Sequence, residues 1–222
     1  MPGLFLFFII FAIILMGIGL QMEQKRRAAL KAYAAEKGYT YVPGKNTRFD
    51  DEFRELPFVG QGSNRYLRHQ MTGEVQGHRL WIGEYHYQVT THNGKSSQTH
   101  HYFSTLVMLQ PEYHLKDLSI RREGLFDKFK AAFGWDDIDF ASAEFSRKFH
   151  VSAPDRDWAF AFIQPSTMEC LLQTEGLEYH IRRGWLVVRN KNKIRPQQLA
   201  GMLETGLTLL KQVPGFVRET SA

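Results

Sequence analysis

The hydrophobic positions of this chain are distributed very unevenly. Residues 4–22, which read LFLFFIIFAIILMGIGLQM, are apolar except for Gln21. These 19 residues would form a helix about 28 Å long, close to the bilayer's hydrocarbon thickness of about 30 Å. A single span must be helical because lipid offers no hydrogen bonds to the backbone. The pattern therefore predicts one membrane helix near the N-terminus.

The remaining pattern divides the chain into four segments. We predict a transmembrane anchor over residues 1–22, a juxtamembrane basic helix over 23–38, a soluble domain over 39–213 and a flexible tail over 214–222. The basic segment is rich in Ala, Lys, Glu and Arg, which favour helix, and Gly38 is a typical helix stop. We therefore expect the anchor to continue as one helix beyond the bilayer.

The flanks of the apolar segment predict its orientation. No basic residue precedes it, whereas four cations that we assign to the membrane surface follow it. They are Lys25, Arg26, Arg27 and Lys31. The positive-inside rule then places the N-terminus outside and the soluble domain in the cytoplasm. A cleaved signal peptide is the alternative, but the chain lacks its basic start and its small-residue cleavage site.

Strand patterns fill residues 65–110. Three strands are predicted, over 65–75, 78–91 and 98–110. Asn93-Gly94 favours a two-residue type I′ hairpin loop. With that loop Tyr85 would face Tyr102 and His86 would face His101. Polar residues near the loop and apolar residues farther away predict a solvent-exposed tip and a base buried on both faces.

Shorter elements complete an α+β fold, an antiparallel sheet of hairpins with packed helices on one face. We predict an edge strand over 114–121, a helix over 124–133, a strand over 144–150, helices over 155–161 and 165–173, a hairpin over 177–189 and a helix over 196–212. Asp155 is expected to cap its helix, and Pro196 to occupy the first turn of the last one.

Composition is consistent with one soluble domain behind the anchor. Hydrophobic residues make up 43% of the 222 residues and aromatic residues 14%, which is enough for a packed core. The single cysteine, Cys170, excludes an internal disulfide, and its apolar neighbours predict a core position. The net charge is +5. A second basic cluster, between Arg182 and Arg195, is interpreted as solvated surface.

The histidines offer the first candidate chemistry. His86 and His101 are predicted on one face of the hairpin, and Glu84 lies on the same face two residues before His86. Two imidazoles and a carboxylate are ligands that suit zinc. A partly exposed histidine pair is the alternative, because polar residues are common near hairpin tips and the spacing fixes no third ligand. No other cofactor is predicted.

Two further patterns carry side chains that could bind a ligand. Asp136, Asp137 and Asp139 lack the spacing of a calcium loop, so we expect Ile138 and Phe140 to point inward instead. The hairpin tip carries aromatic and basic side chains suited to stacking on single-stranded nucleic acid, but RNA-binding signatures are absent. The aromatic and basic side chains of the tip are Tyr85, Tyr87, Lys95, His100 and Tyr102. A protein-binding surface suits them better. No nucleophile elbow or metalloprotease motif occurs, so an enzyme is not favoured.

One stretch resembles a known family. FGWDDIDF at 133–140, followed by EFSRKF at 144–149, is similar to an uncharacterised bacterial family of single-span, membrane-anchored proteins with an "FG…DIDF…FS" motif. The resemblance implies a bacterial inner-membrane setting and names no catalytic residue.

Together these patterns predict a non-enzymatic interaction or scaffolding module held at the inner membrane. Its expected partners are the lipid bilayer and a protein, whereas nucleic acid is not expected and the oligomeric state is left open. Two alternatives remain: a metal sensor or metal-dependent enzyme that uses His86 and His101, and a domain of the same fold that faces the periplasm.

Overall fold

The computed structural model describes residues 2–94, 96–122, 135 and 137–219, with side chains from 7 to 218 in these ranges. Its first element, α1, is one helix over Pro2–Glu36, which confirms the predicted continuation beyond the apolar segment. By length and composition this helix could cross a membrane, and no part of its apolar window is buried. The helix ends before Gly38, whose φ of +72° stops the helical path.

The soluble part is built on one eight-stranded antiparallel sheet. Its strands are β1 Thr40–Val42, β2 Ser63–Val75, β3 His78–Asn93, β4 Ser96–Gln110, β5 Leu118–Arg122, β6 Phe149–Ser152, β7 Leu177–Arg182 and β8 Trp185–Asn190. Their spatial order is β1-β2-β3-β4-β8-β7-β5-β6. The predicted α+β class with an antiparallel sheet is therefore confirmed.

Two of the predicted hairpins have the expected turns. Gln76-Gly77 connects β2 to β3 and Arg183-Gly184 connects β7 to β8, and all four residues have positive φ values between +50° and +77°. Positive φ at both loop residues is the type I′ geometry that suits the twist of the adjoining strands.

The β3–β4 hairpin has a different register from the predicted one. Asn93 pairs with Ser96, so Asn93 is the last residue of β3 and not a loop residue. Tyr87 consequently faces Tyr102, with ring centroids 4.9 Å apart, and His86 faces Phe103. The register differs from the prediction by two residues. Because side chains alternate with a period of two, every predicted face is preserved and the buried base and exposed tip are confirmed.

Helices cover both faces of the sheet. They are α2 Phe49–Glu52, α3 Ala143–Lys148, α4 Arg156–Phe162, α5 Pro165–Leu172, α6 Pro196–Lys211 and α7 Gly215–Glu219. The longer ones share a single hydrophobic cluster with the C-terminal part of α1 and one sheet face. The prediction of helices on one face alone is wrong, since α2 and the residues after it place Phe49, Phe53 and Phe58 over Leu67 and Tyr85 on the other face.

Three local predictions can be compared with the structure. Asp155 caps α4 by accepting from the Trp158 N–H, as expected. The predicted strand over 144–150 is wrong because Ser142 caps a helix there, so β6 starts only at Phe149. The strand predicted over 114–121 is present as β5, Leu118–Arg122, but it is not an edge strand, since it lies between β7 and β6. The predicted helix over 124–133 lies outside the described residues.

Candidate functional site

The junction between α1 and the sheet forms the candidate site. Two anchor points show how the helix lies. At its C-terminal end the Tyr39 N–H bonds to the Ala34 carbonyl, and the Tyr39 ring packs over Gly73 of β2. Eleven residues before Ala34, Glu23 lies 3.5 Å from Arg68 of β2. The helix therefore runs along β2, and its apolar segment lies toward the start of β2 and the β3–β4 hairpin tip.

Glu84 fastens the helix to the sheet. It projects from β3 with none of its side chain exposed. One carboxylate oxygen accepts from Arg26 of α1 at 2.6 Å and from the Ile194 N–H at 2.9 Å. The other accepts from Arg68 of β2 at 2.7 Å. We call Glu84, Arg26, Arg68 and the Ile194 N–H the Glu84 clasp.

The clasp keeps its buried carboxylate ionised. Burial alone would raise the pKa of Glu84, but the hydrogen bond from Arg26 and the charges of Arg68 and Arg26 outweigh it, and the pKa lies below its usual value. A buried carboxylate with two cations and a backbone donor has its charge and its lone pairs satisfied. The clasp therefore joins helix and sheet as a fixed unit.

His69 and Tyr41 extend the clasp at the edge of the sheet. His69 sits at the irregularity where the β2–β3 register shifts, with φ of +53°. Its Nδ1 lies 2.8 Å from the Tyr41 hydroxyl, and its Nε2 lies 3.4 Å from the Glu23 carboxylate. Burial lowers the pKa of His69, and the neighbouring Arg68 charge lowers it further. The lowered pKa favours the neutral form of the ring, which lies between a helix carboxylate and a strand tyrosine.

A row of three rings lies two residues along β3 from Glu84, toward the hairpin tip. Tyr66, His86 and Phe103 face one another across β2, β3 and β4, with centroids 4.5 Å and 4.9 Å apart. We call these three residues the aromatic row. Lys45 Nζ stands 4.2 Å from the Tyr66 ring centroid at one end, and Lys193 Nζ stands 4.4 Å from the Phe103 centroid at the other. Both lysines are exposed.

The predicted histidine pair forms, in a diagonal arrangement. His86 Nε2 lies 3.0 Å from His101 Nδ1, and His86 Nδ1 lies 3.0 Å from the Asn64 carbonyl. A carbonyl only accepts, so His86 Nδ1 carries a proton and donates to it. In the neutral ring Nε2 then accepts from His101. Burial lowers the pKa of His86, and the adjacent His101 contributes.

The structure gives the three predicted zinc ligands other partners. Glu84 belongs to the clasp, while His86 and His101 bond to each other. Within the described ranges, no group of three or more His, Cys, Asp or Glu side chains is arranged to hold a metal ion. Zinc binding by these residues stays a prediction from the sequence.

The four predicted membrane-surface cations have two different environments. Lys25, Arg27 and Lys31 are exposed on α1 just after the apolar segment. Arg26 instead points to the domain, where it bonds to Glu23 and Glu84. Three of the four cations are therefore exposed, and the fourth, Arg26, is bonded to carboxylates within the protein.

The opposite sheet face brings together a serine, a histidine and a glutamate that the sequence did not connect. Ser119 Oγ lies 2.8 Å from His180 Nδ1, and His180 Nε2 lies 4.0 Å from Glu178. These residues resemble a hydrolytic triad in composition only. All three are buried, and Glu178 accepts from Arg189 and pairs with Lys191. A nucleophile needs access to substrate, so we assign this cluster to the core.

The other predicted candidates are placed as follows. Ile138 and Phe140 are buried, as expected, and Asp137 pairs with His150 at 3.0 Å. Asp136 and Lys95 lie outside the described residues. Cys170 is half-buried against the core, and burial raises the pKa of its thiol. Tyr102 is exposed on the hairpin, whereas Tyr85 is buried and donates to Asp50.

Lys45 escaped the sequence analysis, which assigned Lys193 only to the solvated basic cluster. Each lies in a loop, and each belongs to the site only because β2 and β4 are neighbours of β3. Arg26 had a readable signal, since it precedes the buried Leu30 and Ala34 by four and eight residues along α1. That spacing puts Arg26 on the same helical stripe as the two core residues.

Comparison with known proteins identifies a shared fold. No protein-family model matches the chain, and no curated protein matches its sequence. Among solved structures, it is similar to the crystal structure of the mycobacterial trehalose monomycolate transport factor A, TtfA, with a TM-score of 0.63. The match has 13% sequence identity and covers 85% of this chain and 96% of that one. At this identity the likeness is one of fold alone.

Proposed function

We propose that this chain is a membrane-anchored, non-enzymatic interaction module whose domain lies in the cytoplasm at a bacterial inner membrane. The observation that carries the proposal is the Glu84 clasp. It ties the helix that leaves the apolar segment to the centre of the sheet through Arg26. A flexible linker would let the domain drift from the bilayer, whereas this junction holds it at a fixed height and orientation. That arrangement suits a domain that meets a partner in the same membrane.

The comparison adds support of a general kind. The similar solved structure belongs to a protein named as a trehalose monomycolate transport factor. We propose a role of the same general class for this chain, and we assign no transported molecule to it. The basic flank after the apolar segment supports the cytoplasmic orientation, since cations are retained on that side. The "FG…DIDF…FS" resemblance supports a bacterial setting.

Affinity purification from detergent-solubilised membranes tests the interaction role. The bait is the full chain, and the matched control is its α1 segment fused to an unrelated soluble domain. We expect at least one membrane protein to be retained by the full chain and absent from the control. Identical profiles for the two baits would contradict the proposal, because they would assign all binding to the helix.

Reporter fusions after Ala222 test the orientation. A cytoplasmic domain predicts a fluorescent green fluorescent protein fusion and an inactive alkaline phosphatase fusion, because the phosphatase requires export. The reverse result would assign the domain to the periplasm, and the fold and clasp would still stand.

The histidine pair favours one second candidate, a metal sensor or metal-dependent enzyme. His86 and His101 bring two ring nitrogens within 3.0 Å of each other. Metal analysis of the purified full chain decides the matter. Stoichiometric zinc that disappears in His86→Ala would favour a metal role over the interaction module. A metal-free protein would rule out the metal role.

A further inference from the structure

We infer that the outer edge of β4, near the hairpin tip, binds an extended acidic segment of a partner protein, which joins the sheet as a further strand. The inference rests on the interaction role proposed above, and it adds the surface that binds and the chemistry of the bound segment. We call the stretch from Ser96 to Ser104, on the side away from β3, the β4 edge.

The β4 edge is open because the β3–β4 hairpin is longer than the strands beside it. The last partner of β4 on its outer side is Asn190 of β8, which pairs with Thr105. On the other side of the hairpin, β2 begins opposite Gln88. Among the residues that the structure describes, only those of β3 pair with β4 from Ser96 to Ser104. The hairpin therefore projects as a two-stranded ribbon with open edges.

The register of the hairpin shows which backbone groups point outward. Asn93 and Ser96 enclose a two-residue loop and form a hydrogen-bonded pair, and such pairs alternate along an antiparallel ladder. The intervening residues of β4 point their N–H and C=O groups away from β3. In the β4 edge these residues are Ser97, Thr99, His101 and Phe103. Thr105 is the next residue of this series, and it is the one that pairs with β8. The β4 edge thus offers the hydrogen-bonding pattern of an unpaired strand.

The β4 edge lacks the features with which proteins protect an exposed strand edge. No Asp, Glu, Lys, Arg or Pro occurs from Ser96 to Ser104. The β3–β4 register runs without a shift from Asn93 to Arg79, so no bulge twists the edge away. The side chains from Ser96 to Tyr102 are all exposed. An edge without charge, proline or bulge is open to the addition of a strand.

Charge favours an acidic segment over a second copy of this chain. No aspartate or glutamate occurs from Tyr85 to Pro111. Exposed Lys193 stands beside the β4 edge, with its Nζ 4.4 Å from the Phe103 ring centroid, and it forms no ion pair within the described part of the chain. A carboxylate on the added strand would supply the missing counter-charge. A second copy would bring the same cation to the edge and no carboxylate.

Binding of capped heptapeptides to the full chain in detergent tests the inference. The probe is a fluorescent peptide of alternating valine and glutamate, and the comparison peptide has lysine in place of glutamate. We expect saturable binding of the acidic peptide by fluorescence anisotropy, and about tenfold weaker binding of the basic one. Lys193→Gln should weaken binding of the acidic peptide about threefold, the effect of one exposed ion pair. Equal affinity for the two peptides, or no binding of the acidic one, would overturn the inference.

The Thr90–Thr99 pair provides matched variants for the two edges of the hairpin. The two threonines face each other with their Oγ1 atoms 3.0 Å apart. The Thr99 N–H points to the β4 edge, and the Thr90 N–H points to the opposite edge. Thr99→Pro should weaken binding of the acidic peptide about tenfold, because proline removes an outward donor and its ring blocks the approach. Thr90→Pro should leave binding unchanged. Equal effects of the two variants would contradict a site on the β4 edge.

Two further results would also overturn the inference. Light scattering that shows dimers of the full chain, lost in Thr99→Pro, would assign the β4 edge to a second copy. A membrane protein that the Thr99→Pro bait retains as well as the unchanged chain does would assign partner binding to another surface. That last result would leave the interaction module itself intact, so the edge and the interaction role are tested separately.

Discussion

At the scale of single residues, Glu84 is the side chain on which the junction depends. It is fully buried, and it compensates two arginines whose side chains are only 14% and 20% exposed. Removing one member of a buried ionic group leaves the others without compensation, which costs more than the pair contributed. We therefore expect a substitution of Glu84 to lower the stability of the protein more than the loss of an exposed ion pair would.

We predict that Glu84→Gln lowers the free energy of unfolding by about 3 kcal/mol, because Arg26 and Arg68 stay partly buried without a counter-charge. Urea unfolding of the full chain in detergent measures this. Glu144→Gln is the matched control, since its pair with Lys148 is exposed, and we expect no measurable change there. Similar values for both variants would refute the clasp.

His180 gives the second prediction at this scale. Burial lowers its pKa well below the usual value, and the charges of Arg182 and Arg189 lower it further. The unfolded chain therefore binds a proton below about pH 6.5 that the folded chain excludes, so stability falls on acidification. We predict that His180→Gln flattens the dependence of unfolding free energy on pH between about pH 7.5 and about pH 5. A variant with the wild-type slope would contradict this.

The residue scale also shows what the sequence alone could not reveal. Glu84 was grouped with His86 because both lie on one face of β3, and that placement is correct. Its actual partner Arg26 is 58 positions away, and local periodicity contains no information on such contacts. For the same reason Lys45 was missed, and Lys193 was assigned only to a solvated basic cluster. Only the strand order brings them to the ends of one row.

At the scale of elements, periodicity was sufficient for the long helices, and turn residues were sufficient for two of the three predicted hairpins. The long helices and the two type I′ hairpins appear where the pattern placed them. The segment over 144–150 was misassigned because Phe145, Phe149 and Val151 fit a short strand as well as a helix. Ser142, three residues before Phe145, was the available signal for a helix start. The β3–β4 register moved by two residues, which local turn preference alone does not settle.

Helix α6 gives the prediction at this scale. A Cβ added at Gly206 would lie 2.8 Å from Leu109 and 3.3 Å from Val188, both in the core, whereas one at Gly201 would meet nothing within 4 Å. We predict that Gly206→Ala lowers the free energy of unfolding by about 1 kcal/mol through overpacking. Gly201→Ala should raise it by about 1 kcal/mol through helix propensity. Thermal or urea unfolding measures both, and equal stabilisation by the two would show that α6 does not pack closely on the sheet.

At the scale of the whole molecule, the chain combines one apolar helix with a sheet domain fastened to it. The apolar segment was evident in the sequence because membrane helices need an unbroken run of about 20 apolar residues. How the domain attaches was not evident, since attachment depends on long-range ion pairs. The clasp fixes the orientation of the sheet domain relative to α1. The proposed interaction role depends on α1 residing in a bilayer.

Extraction of membranes from cells that express the full chain tests that dependence most directly. Membranes are washed with concentrated salt, then with alkaline carbonate, then with detergent, and the chain is followed by immunoblot. We predict that it stays in the pellet through the first two washes and enters the supernatant only with detergent, as a helix that spans lipid must. Release by salt alone would contradict the account.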